Sequence, residues 1–241
     1  MKTLSFPDHY ARMRYQFELF DDFDWLISPH RWTNLAADGG VTGFATGDTK
    51  YGVLQGATGA TNNNEIAIRS TNALALFAAD YAFVFEVRLQ YTEANTDDAN
   101  VAIGLADAAG ADLLTDNGAG SGIANTGVLI YKVDSYSSGN FWRAIATNNA
   151  TSKATDSVQT ASGASFVVLR IEGKAVDQSN MQFRYFLDDL PLTDSNNRPI
   201  NHQLAFASAV VMRLVPNYLK AGGANSETMN VDYVLFASTR V

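Results

Sequence analysis

The side chains able to do chemistry in this chain are mostly carboxylates. Asp21, Asp22 and Asp24 crowd around Phe23 and Trp25 in DDFDW. In an extended segment Asp22 and Asp24 would share a face. Two carboxylates flanking a glycosidic bond need about 5–5.5 Å or about 6.5–9.5 Å between them, depending on mechanism. Glu86 lies inside the strongest strand pattern with Arg88 as its same-face neighbour, which reads as a structural surface pair. The three histidines, His9, His30 and His202, have no ligand-like spacing. Cysteine is absent, so disulfides, thiolate nucleophiles and Cys-bearing zinc sites are excluded. No nucleophile elbow or phosphate-cradling glycine motif occurs, and Gly118, Gly120 and Gly122 read as a flexible loop. The acidic turns 96–98, 112–116 and 188–189 offer hard oxygen ligands of the calcium kind, although such turns are common without a metal. No catalytic, cofactor or metal set is assigned on these grounds, and the chain is read as a non-enzyme.

Binding is the other chemistry open to it. A saccharide-binding face needs exposed aromatic rings, and Trp32, Tyr131, Trp142 and Phe186 are the candidates. A protein interface is expected at the N-terminal arm, residues 1–20, where Phe6, Tyr10, Tyr15 and Phe17 gather in a segment without a strand period.

The elements that must position these groups are strands. Phe83, Phe85, Val87 and Leu89 alternate with Val84, Glu86 and Arg88, the period of two of a sheet with one buried face. Val101, Ile103 and Leu105 repeat it after a hydrophilic connection, which predicts an antiparallel hairpin. Further strands are expected at 126–133, 140–146, 165–172, 181–187, 202–214 and 229–236, with weaker ones at 41–45, 50–55 and 66–70, making about ten. In the last long strand Val231, Tyr233 and Leu235 should oppose Asn230, Asp232 and Val234. The Ala-rich stretch 72–79 is the one place where a short helix competes. Segments 106–125 and 147–163 read as surface loops. Asp188-Asp189-Leu190 reads as a hairpin tip whose return strand starts near Leu192.

Strands without covering helices must bury their apolar faces against a second sheet. The expected fold is therefore all-β: a two-sheet antiparallel jelly-roll sandwich spanning 21–241, preceded by the arm. The 17 Lys+Arg against 25 Asp+Glu give a net charge of −8, which argues against a partner held through its phosphates. Neither a secretory leader nor a run long enough to cross a membrane is read in the sequence, so assembly in a cytoplasm is expected.

Six segments in order resemble a concanavalin-A-like, laminin-G-type jelly roll: DDFDW (21–25), FVFEVRL (83–89), NVAIGLAD (100–107), VVLRIEG (167–173), MQFRYFLDDLPL (181–192) and MNVDYVLF (229–236). Asp189 departs from the pattern, standing where such domains tend to carry a turn glycine. Many glycosidases of this kind carry an E-x-D-x-x-E strand, which is missing here, and no lectin-type calcium-ligand set is recognisable. The combination is similar to structural proteins of tailed-phage virions. That resemblance implies a capsid decoration or cement protein, a homo-oligomer with a trimer preferred, bound to a major capsid protein on the virion surface and assembled in the host cytoplasm. It implies no nucleic acid, membrane or cofactor. The same fold also implies an alternative, a carbohydrate-binding module, and more remotely a glycoside hydrolase.

Overall fold

A computed structural model describes residues 17–24, 30–37, 43–46, 52–93, 99–116, 126–134, 140–148, 151–206 and 209–239. Among them seventeen strands and no α-helix form: β1 (Phe17–Asp21), β2 (Trp32–Ala37), β3 (Ala45–Thr46), β4 (Leu54–Ala57), β5 (Glu65–Ser70), β6 (Ala75–Phe77), β7 (Ala82–Thr92), β8 (Ala99–Ala106), β9 (Thr126–Lys132), β10 (Phe141–Asn148), β11 (Ser152–Thr160), β12 (Val167–Ala175), β13 (Asn180–Leu187), β14 (Leu190–Pro191), β15 (Asn201–Ala205), β16 (Val210–Ala221) and β17 (Thr228–Ser238). They make two antiparallel sheets. The nine-stranded sheet runs β14-β13-β12-β7-β17-β4-β3, with β1 on β17 and β15 on β13. The eight-stranded sheet runs β11-β10-β9-β8-β16-β5-β2, with β6 on β16.

The alternating patterns meet between the sheets. Phe83, Phe85, Val87 and Leu89 of β7 and Met181, Phe183 and Tyr185 of β13 face Val101, Ile103 and Leu105 of β8 and Val128 and Ile130 of β9 in one buried cluster. Each fully buried side chain of this size contributes about 1.5–3 kcal/mol. The cluster is aromatic along its length: Phe77 stacks on Phe83 at 6.4 Å, and Tyr91 meets Trp142 edge-on at 6.1 Å.

Several sequence expectations change here. β7 and β8 are not a hairpin. They lie in different sheets, and their matching periods arise because each buries one face toward the other across the sandwich. The run 202–214 divides into β15 and β16, again in different sheets. Most of the loop expected at 147–163 is strand β11, a polar edge strand paired with β10. Segment 72–79 holds β6 rather than a helix. In β17 a bulge between Val231 and Tyr233 shifts the period, so Met229, Val231, Val234 and Phe236 enter the core and Tyr233 turns outward. The boundary drawn at residue 20 falls inside β1.

The turn at 188–189 closes a hairpin without glycine. Both aspartates take positive φ, 48° and 67°, as a type I′ turn requires, and Asp188 Oδ1 accepts from Val168 N at 2.8 Å. The return strand is β14, beginning at Leu190.

Candidate functional site

A second bulge builds the outer face of the eight-stranded sheet. Pro216 cannot donate to a ladder, and β16 loses register against β8 between Val215 and Tyr218. On the opposite side of β16, toward β5, Asn217 Oδ1 accepts from Ile68 N at 2.7 Å. Leu214 and Leu219 thus point into the core, whereas Val215 and Tyr218 point outward. Lys220, two residues past Tyr218, shares that outward face. The small side chains Ala67, Ala102 and Ala106 leave room above the sheet, and a strap formed by residues 107–116 crosses it. Ala109, Leu113 and Leu114 of the strap bury against those alanines, Leu129, Tyr131, Val215 and Tyr218.

Polar groups fasten the strap at the Glu65 end of β5. Lys220 is fully buried, and its Nζ lies 2.5 Å from Asp116 Oδ1, 2.9 Å from Asp112 Oδ1, 3.1 Å from Leu114 O and 3.5 Å from Glu65 Oε2. Glu65 in turn accepts from Asp112 N at 3.0 Å and from the Tyr218 hydroxyl. Burial alone would lower the Lys220 pKa, but Asp116, Asp112 and Glu65 outweigh it and hold the ammonium above its usual range. Burial pushes Glu65 up despite Tyr218 and Lys220, and it pushes Tyr218 up with help from the Glu65 charge. The acidic turn 112–116, whose oxygens are of the calcium-ligand kind, thus encloses an ammonium group. Among the described residues no cluster of three or more His, Cys, Asp or Glu is placed to hold a metal ion.

At the Ser70 end of β5 the chemistry is different. Arg69 donates from Nη1 to Ala109 O, and Arg213 donates from Nε to Thr71 O at 3.4 Å. Neither forms an ion pair among the described residues. The 71–74 turn that accepts from Arg213 also borders a cleft of about 340 Å³ lined by Leu19, His30, Arg31, Asn72 and Leu74. Asp21 holds Arg31, one of the residues lining that cleft. Its buried carboxylate accepts from Phe23 N at 2.9 Å, Arg31 Nη1 at 3.0 Å and Trp32 Nε1 at 2.8 Å. Phe23 is held at φ 56° with its ring in the core. Asp21 of the acidic cluster is therefore a fastener, while Asp22 and Asp24, the pair expected to share a face, are exposed.

The structure does not gather the aromatics nominated for saccharide binding. Trp32 and Trp142 are fully buried core residues, so neither can stack on a ligand. Tyr131 lies on the outer face of the eight-stranded sheet but is 2% exposed, with Arg143 5.4 Å from its ring. Phe186 lies on the outer face of the other sheet, half-buried, with the Arg170 guanidinium 4.5 Å from its ring. Of the expected interface residues, Phe17 packs on its own core, its ring 6.0 Å from Phe236. Phe6, Tyr10 and Tyr15 lie outside the described residues, as do His9, Trp25, 96–98 and the three loop glycines.

Glu86 is buried and does not pair with Arg88. It accepts from Tyr233 at 2.8 Å and lies 3.5 Å from Arg170, which also holds Glu172 at 3.3 Å and Asp189 at 2.5 Å. Arg88 pairs with Asp232 instead. His202 is buried between Tyr185 Oη at 2.9 Å and Thr155 Oγ1 at 3.0 Å, joining the edges of the two sheets. Burial, with the Lys153 charge, lowers its pKa to about 4. Sequence reasoning missed Lys220, Arg69 and Arg213. The local signal was a Pro216-Asn217 break and a lysine within an apolar run, and it gains meaning only when β5 lies beside β16.

No protein-family model matches the sequence, and no curated protein matches it either. Solved structures do match along most of the chain. The carbohydrate recognition domain of Emp47p aligns at TM-score 0.58 and 10% identity, covering 95% of this chain and 98% of that one. An endo-1,3-beta-glucanase from Streptomyces sioyaensis aligns at 0.57 and 14%, covering 92% and 96%. Lectin UEA-II, complexed with galactose, aligns at 0.54 and 11%, covering 94% and 100%. The fold is that of the concanavalin-A-like, legume-lectin-like jelly rolls. At these identities the likeness defines architecture and leaves function to the site.

Proposed function

We propose that this chain is a saccharide-binding module. The observation that carries the reading is the cleft between β1 and the 71–74 turn, on a fold shared end to end with carbohydrate-recognition domains and lectins. The cleft sets the donors of Arg31, His30 and Asn72 beside the apolar side chains Leu19 and Leu74. Such a mixture suits a sugar ring, which presents hydroxyls at its rim and C–H groups on its face. Binding without cleavage is the fitting chemistry, because Glu86, Glu172 and Glu65 are each tied to a basic side chain. Capsid decoration, the main expectation from the sequence, has no counterpart in the three matched structures described above. It rests on the sequence resemblance and on an arm that lies almost wholly outside the described residues.

The test is a glycan array followed by calorimetric titration of the best hits with the full chain. Saturable binding is expected, weakened about tenfold by Asn72→Ala through loss of a buried hydrogen bond to the ligand. Asn72 is exposed in the free protein, so this variant should melt like the parent. An array without hits would overturn the reading.

A further inference from the structure

We propose that Arg69 and Arg213 form an anchor for the anionic group, carboxylate or sulfate, of an acidic saccharide. The proposal rests on the saccharide reading and names the class of sugar. Both side chains stand on the outer face of the eight-stranded sheet, Arg69 on β5 and Arg213 on the adjacent β16. Each contacts one main-chain carbonyl, Ala109 O for Arg69 and Thr71 O for Arg213. A guanidinium carries five N–H donors, so most of the pair's capacity is unused among the described residues. The Nε of Arg69 is buried and has no hydrogen-bond partner.

The rest of the molecule shows how unusual this is. Arg31, Arg88, Arg143, Arg170 and Arg198 each face a carboxylate. The other described arginine, Arg184, is exposed. Arg69 and Arg213 instead lie close enough to each other that the Arg213 charge, after burial, lowers the Arg69 pKa. In a chain with 25 acidic residues, none of the described carboxylates pairs with either arginine. Two planar forks match the paired oxygens of a carboxylate or sulfate. The 71–74 turn links the anchor to the cleft, since Thr71 accepts from Arg213 and Asn72 lines the cleft wall. A polyanion such as nucleic acid fits less well, because the pair stands in a protein of net charge −8.

The experiment titrates the full chain with tetragalacturonate, a neutral galactan tetrasaccharide and a sulfated disaccharide, following the arginine Nε–Hε resonances by NMR. The expected result is that at least one acidic probe binds about tenfold or more tighter than the neutral one and shifts both arginine resonances. Arg213→Gln should remove that preference, and Arg213→Lys should restore part of it. The two acidic probes separate carboxylate from sulfate. If acidic and neutral probes bind equally, or Arg213→Gln leaves the preference intact, the anchor is overturned and the saccharide reading stands. If no saccharide binds here or on the array, both fall. Arg213→Lys keeps the charge and serves as the probe should the glutamine variant fail to fold.

Discussion

At the Glu65 end of β5, Lys220 is enclosed by three carboxylates and a carbonyl. At the Ser70 end, Arg69 and Arg213 stand side by side with main-chain carbonyls as their only described partners. Both groups touch the same strap, residues 107–116, and both lie on the same face of the same sheet. Lys132, the other fully buried lysine among the described residues, repeats the Lys220 pattern, with its Nζ on Glu93 and on Ala99 O at 2.8 Å. Buried cations that serve the fold therefore come with counterions in this protein, as the cost of desolvation demands. The arginine pair lacks them among the described residues, which is the contrast the proposed anionic ligand would resolve.

The largest expected effect comes from breaking the satisfied end. Lys220→Met removes the cation and leaves Glu65 buried beside Asp112 and Asp116, a change worth about 3–5 kcal/mol when one member of a buried pair is lost. Urea unfolding at pH 7 measures it. The deficit should shrink as the pH falls toward 5, because the Glu65 pKa is already raised and its protonation removes the uncompensated charge. A loss below about 1 kcal/mol would mean that the strap does not depend on its ammonium clamp.

His202 sharpens the contrast, being a buried basic group that satisfies itself by staying neutral. Its folded pKa of about 4 lies below the 6.5 of a free imidazole side chain. Above pH 6.5 both folded and unfolded states hold the neutral ring, and stability is independent of it. Between pH 6.5 and about 4 the unfolded chain takes up a proton that the folded one refuses, so stability falls as the pH falls. The loss levels off below about pH 4, at about 3 kcal/mol in total. His202→Gln should flatten this part of the stability profile. A slope unchanged in the variant would place the titration elsewhere.

The sequence shows these regions unevenly, for physical reasons. Strands with one face toward the core, such as β7 and β13, print their alternation directly, and Phe83 to Leu89 could be placed on one face from spacing alone. Strand β11 has only Ser157 buried among its nine residues, so it carries no apolar period and reads as a loop. The bulges at Asp232 and at Pro216-Asn217 reset the period, so alternation misassigns Tyr233 and conceals that Lys220 faces outward. The aromatics were legible as aromatics but not as exposed or buried, which is why Trp32 and Trp142 pointed to a ligand and belong to the core. The site itself depends on neighbours far apart in the chain. Glu65, Asp112 and Lys220, or Arg69 and Arg213, are brought together by the β5–β16 pairing and the strap, which local spacing does not encode.

The smallest expected effect is the one on which the comparison turns. Replacing a structural arginine leaves a carboxylate without its partner, but Arg213→Gln strands no partner carboxylate among the described residues and relieves a like-charge contact with Arg69. Its stability should stay within about 0.5 kcal/mol of the parent, with any change toward greater stability. Low ionic strength should make that gain easier to see, since screening weakens the repulsion being removed. Calorimetric melting at low and high salt reads both effects. A destabilisation of about 2 kcal/mol or more would show that Arg213 holds the 71–74 turn through Thr71 and belongs with Lys220 as a fastener. The distinction between cations placed for the fold and cations placed for a ligand would then no longer separate the two ends of β5.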